Sequence, residues 1–159
     1  MDASRLLLEQ MLTRGSNSQS LIFPAMFNFR HGIEVALKWH IRYAGGTIPQ
    51  HAGHDLEILI EAFGRTAEGL DENVTYISGY MLDLVSELAT LDPRSIAFRY
   101  PTEIDGSEIP ISNLSWDLRR LLFTVDYLSI LFDNLSGWID MSTEEYQAML
   151  HKLDNEQRV

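Results

Sequence analysis

Arg30, Glu34, Lys38 and Arg42 recur every fourth residue, with His31 and His40 among them. On a helix, residues four apart are neighbours, so the four charged side chains form one slowly drifting stripe. Guanidinium, ammonium and imidazole groups gathered round a carboxylate suit an anion site. The same stripe facing water is an ion-pair ladder, adding only about 0.3–0.5 kcal/mol per pair. A second cluster, His51-x-x-His54-Asp55, holds two imidazoles and a carboxylate. Its spacing falls in a loop and lacks the helical HExxH arrangement of a metal site, so no metal is assigned. Asp55 has a simpler use in the first turn of a helix, where the dipole favours negative charge, and His54 can bond to a neighbouring helix.

The elements that must position these groups are helical nearly throughout. Residues 2–13 form a first short helix, and the polar breaker GSNSQS follows at 15–20. A long helix runs from about Pro24 to Ala44, with Ile33, Leu37, Ile41 and Ala44 as its core stripe, and stops at Gly45-Gly46. After the loop TIPQHAG, Asp55–Phe63 makes a third helix and 72–90 a fourth. Residues 94–111 contain two prolines and an Asp-Gly turn and do not read as helix. A fifth helix is expected from an N-cap at Ser112 to about Leu135, ending before Gly137. The capping box Ser142–Glu145 opens a last short helix. The expected fold class is all-α: an up-and-down helical bundle, one domain over 1–159, with one long ordered loop before the last long helix.

That fifth helix carries more apolar surface than one stripe. Leu118, Leu121, Leu122, Val125, Leu128, Leu131, Phe132 and Leu135 cover one side, and Phe123, Tyr127 and Ile130 lie on others. Such a helix is central in its bundle or lies in a subunit interface. Tyr76, Tyr80, Trp116 and Trp138 are read as core or interface residues.

Composition narrows the function. The formal charge is −11, which argues against general DNA binding because phosphate contacts need concentrated cations. Ten of the 12 cations are Arg, which favours bidentate contacts, so a local anion site survives the acidic average. There is no cysteine, so disulfides, thiolate metal sites and a Cys nucleophile are excluded. No membrane span or signal peptide is visible, and a cytoplasmic location is expected. No phosphate loop or Ser-centred elbow occurs, and no cofactor is assigned.

The run RHGIEVALK (30–38), the glycine-ended helix, the loop and then HDLEILIEAF (54–63) resemble the opening helix pair of HEPN-superfamily (higher eukaryotes and prokaryotes nucleotide-binding) proteins. The matching positions are Arg30, His31, Glu34, Val35, Leu37 and Lys38, then His54, Asp55 and Leu56; FRYP at 98–101 adds to the likeness, which covers about 22–138. The resemblance implies a helical bundle that dimerises. Many members are metal-independent ribonucleases that use an Arg, four to six residues, then a His. No Arg here has that spacing; the positions after Arg120 are Val125, Asp126 and Tyr127. Asp126 is a poor substitute for imidazole as a proton shuttle near neutral pH. The expectation is a non-catalytic, homodimeric binding protein engaging nucleotide, RNA or a protein partner, in a toxin–antitoxin or defence setting. Its ligand-binding candidates are Arg30, His31, Glu34, Lys38 and His54, with Arg30 and His31 the ligand-facing pair. The alternatives are a ribonuclease with a displaced site and a purely structural interaction module.

Overall fold

The computed structural model describes residues 1–15, 20–70, 72–92, 95, 97–99, 115–143, 148, 151–153 and 155. Within them lie the helices α1 (Asp2–Arg14), α2 (Ile22–Tyr43), α3 (Leu56–Ala67), α4 (Glu72–Leu91) and α5 (Leu118–Ser142), and the described residues 148, 151–153 and 155 are helical as well. Each helix packs on the next, and α5 returns onto α1 and α2. Every helix sends side chains into one core, among them Leu8, Leu37, Phe63, Val85 and Leu135. The fold is therefore all-α, as the hydrophobic period requires. No helix of the described residues is long and apolar enough to cross a membrane.

Two junctions place the groups of interest. Helix α2 buries Phe29, Ile33, Leu37 and Ile41 along one side. It tolerates Pro24 in its first turn, where the backbone N–H has no intrahelical partner in any case. At its end Gly45 takes φ 78°, and the Gly46 N–H bonds back to the Ile41 carbonyl at 2.7 Å. This is the left-handed stop that glycine permits. Gly46 also lies against α3, since a Cβ there would collide with the Thr66 side chain. The chain then turns through Gly53, at φ 49°, into α3. Asp55 is the N-cap of that helix and not a member of its first turn: its carboxylate accepts from the N–H groups of Glu57 and Ile58.

Several boundaries differ from the sequence expectation. Helix α2 starts two residues before Pro24, at Ile22. Helix α3 runs a further turn to Ala67, because Ala67 joins Phe63 in the core and outweighs the glycine at 64. Helix α5 opens at Leu118 behind an Asp117 N-cap, whose carboxylate accepts from the Arg120 N–H at 3.1 Å, and not at Ser112, which lies outside the described residues. Gly137 does not end it. The buried Ile139 carries the helix on, and Ser142, expected as an N-cap, is its last residue. Glu145 and most of the 94–111 loop lie outside the described residues.

Candidate functional site

Helix α2 presents Arg30, Glu34 and Lys38 to the loop that precedes α3. The Arg30 Nη2 donates to the His54 carbonyl at 2.7 Å, and the Lys38 Nζ donates to the Gly53 carbonyl at 2.5 Å. Two consecutive carbonyls are thus held by cations two helical turns apart. Between them Glu34 Oε1 accepts from Lys38 Nζ at 2.8 Å and from His54 Nδ1 at 2.9 Å. A carboxylate only accepts, so this bond places the His54 proton on Nδ1 and leaves Nε2 as the free ring nitrogen of the neutral form.

The other side of the Arg30 guanidinium reaches the end of α4. Its Nε donates to the Asp92 carbonyl at 3.1 Å and lies 3.4 Å from Asp92 Oδ2. Asp92 Oδ1 in turn accepts from the Ala97 N–H at 3.0 Å, tying down the start of the following segment. Arg30 Nη1 faces Glu34 Oε2 at 3.6 Å, an ion pair without a hydrogen bond. One network therefore joins α2, the α2–α3 loop and the C-terminal end of α4.

Burial divides the candidates. Arg30 and Glu34 are only 1% and 3% exposed, whereas the side chains of His31 and His54 are 50% and 56% exposed, and that of Lys38 is 31%. The solvated-ladder reading therefore fails for Arg30 and Glu34. Four-residue spacing holds on any helix face, and the burying elements are remote in sequence. Arg30 is buried where His31 is not: its Nη2 and Nε donate to the His54 and Asp92 carbonyls, and its Nη1 lies 3.6 Å from Glu34 Oε2. His31 does face solvent, stacked on Phe27 at 5.9 Å, with its Nδ1 4.0 Å from Glu34 Oε2.

Electrostatics follow the same division. Burial would raise the Glu34 carboxyl, but hydrogen bonds from Lys38 and His54 outweigh it and hold the pKa below the ordinary carboxylate value. Burial lowers the Arg30 guanidinium, against the opposing fields of Asp92 and Glu34. A carboxyl depressed in the folded state contributes stability above its unfolded pKa and loses it as pH falls through the folded one. Melting temperature is therefore expected to drop on acidification below about pH 4.5. Glu34→Gln, measured by thermal scans across pH 2–7, should flatten that acid limb; an unchanged slope would remove Glu34 from the linkage.

Sequence reasoning missed two participants. Asp92 was legible only as the residue before Pro93 at a helix end, and nothing local tied it to Arg30. Arg99, exposed, lies 5.1 Å over the Phe27 ring and beside the rim that His31 forms. The second sequence cluster does not assemble: His51 is exposed, and among the described residues no three His, Asp or Glu side chains converge to hold a metal ion. Tyr76 and Tyr80 are exposed rather than core, and Tyr80 packs edge-on against Tyr127, which stacks on Phe123. Comparison with family models, with curated proteins and with solved structures gives no match to this chain.

Proposed function

We propose that the chain is a HEPN-like helical domain that works by binding a protein partner, as a homodimer, and not by catalysis. The observation that carries this reading is the fate of the motif residues. Arg30 bonds to the His54 and Asp92 carbonyls, Lys38 to Gly53 and Glu34, and Glu34 Oε1 also to His54, a scaffold clamp in which only Arg30 Nη1 and Glu34 Oε2 face each other without a hydrogen bond among the described residues. Large apolar side chains are exposed elsewhere. Val35, Trp39 and Tyr43 are exposed at four-residue steps along α2, and Tyr76, Tyr80, Phe123 and Ile130 are exposed on α4 and α5. Exposed apolar patches of this kind mark contact surfaces.

A second reading, in which nucleotide or RNA is engaged, is favoured by the rim of the clamp. There His31, His54 and Lys38 are partly exposed round the buried Glu34, and Arg99 lies nearby. One set of assays separates the readings. Incubated with single-stranded RNA and a chelator, the protein should cleave no more than a heat-denatured control. Light scattering should report about twice the 18.2 kDa chain mass. Cleavage lost on His31→Ala or His54→Ala would overturn the non-catalytic reading and restore the displaced-site ribonuclease. RNA binding that weakens steeply with salt, without cleavage, would favour the rim as an anion site.

A further inference from the structure

His40 is 5% exposed, on the side of α2 that meets α5. Its Nδ1 lies 2.8 Å from the Ala36 carbonyl, one turn back on the same helix. A carbonyl only accepts, so in the neutral ring Nδ1 carries the proton and Nε2 is a bare acceptor. That nitrogen is sealed from water and has no hydrogen-bond partner among the described residues. The Phe132 carbonyl of α5 also acts on the ring, and it too can only accept. One proton thus faces two carbonyls, one on each helix. Buried polar atoms without a partner are rare enough to need a physical account.

The surroundings supply one. His40 lines an open groove of about 670 Å³ between the start of α1, α2 and α5, together with Ala36, Trp39, Phe132 and Asp133. Aromatic rings hold the imidazole on two sides, Trp39 edge to face at 4.6 Å and Phe132 at 5.6 Å. Trp39 is half exposed and stacks on Tyr43, so the imidazole is flanked by a side chain that itself lies at the surface. Burial is the largest influence on the ring and lowers its pKa below the ordinary 6.5, while the carbonyls of Ala36 and Phe132 and the field of Asp133 oppose it. The other titratable groups on the groove are His31, exposed on α2, and the Met1 amino group at the start of α1. A base held neutral in the closed form contributes stability that is complete above 6.5 and is lost as pH falls below it toward the lowered value. A form in which the ring reaches water gains on the closed one by about tenfold per pH unit in that window.

We infer that His40 is an acid-released latch: neutral, it closes α2 onto α5 beside the groove, and on taking a proton it turns out to the water of the groove and displaces Trp39. The latch needs no partner, although Trp39 belongs to the exposed stripe proposed above for one.

Tryptophan emission followed from about pH 8 to about pH 5, above the acid limb of Glu34, tests the latch. In the native chain the emission should shift to the red with a midpoint below 6.5, while the far-ultraviolet circular dichroism stays constant. Trp39→Phe should abolish the change, which assigns it to Trp39 rather than to Trp116 or Trp138. His40→Asn should abolish it too. Asn28 and Asn134 each donate to the carbonyl four residues back, so asparagine at position 40 keeps the bond to Ala36 but takes no proton. Asp133→Asn, at an exposed position, removes the field that favours protonation and should move the midpoint to lower pH, whereas His31→Gln should leave it in place. A flat native titration, or a transition that survives in His40→Asn, overturns the latch. So does a helical signal lost in step with the emission, which would make the event global acid unfolding. Should His40→Asn fail to fold, the direction of the Asp133→Asn shift decides alone.

Discussion

Arg30→Ala is expected to lower the melting temperature by more than any other single change in the polar network. Breaking a buried ion pair from one side costs about 3–5 kcal/mol. For a domain of this length that corresponds to a shift of roughly 10 °C. The cost does not fall mainly on Glu34, which keeps Lys38 and His54 as partners. It falls on the Asp92 carboxylate, which loses its guanidinium, and on the carbonyls of His54 and Asp92, which lose their donor inside the protein. Arg30→Lys should rescue only part of the loss. An ammonium is a point charge and lacks the fork that spans the loop on one side and the end of α4 on the other. Differential scanning calorimetry of the three proteins decides the matter. A loss below about 1 kcal/mol for the alanine variant is the value for a solvent-exposed pair, and would show that Arg30 is not the keystone described.

If the proposed homodimer forms through α5, Phe123→Glu is expected to convert it into an 18.2 kDa monomer. The side chain is 69% exposed and stacks on Tyr127 at 5.9 Å, so its removal leaves the intrachain core intact. Surface substitutions away from special features stay within about 0.5 kcal/mol. At an apolar interface on α5 the same position would be enclosed, and an unpaired carboxylate there would cost several kcal/mol of association. Sedimentation across a range of concentrations should therefore show a change in mass with an unchanged far-ultraviolet helical signal. The wild-type melting temperature should also rise with protein concentration while that of the variant does not, since assembly stabilises the folded state by mass action. A variant that still sediments as a dimer would move the interface off α5, with the exposed α2 stripe of Val35, Trp39 and Tyr43 the next surface to test.

The sequence by itself determined the helical class, the number of long helices and most of their inward faces. A 3.6-residue period of apolar side chains is a local property that burial elsewhere does not alter. It also marked out the residues of the clamp. Arg30, Glu34, Lys38 and His54 do meet. Helix ends were less legible, because a core contact such as Ile139 overrides a breaker such as Gly137. What only the tertiary structure decided is the direction in which the charged stripe looks. A four-residue spacing is the same for a stripe facing water and for one facing the interior. The difference was made by Gly53, His54 and Asp92, which lie between 15 and 62 residues away from their partners on α2 and bring carbonyl and carboxylate acceptors to bear on the buried Arg30 and the partly exposed Lys38. Those acceptors stabilise Arg30 in the interior, where its charge would otherwise be too costly to hold.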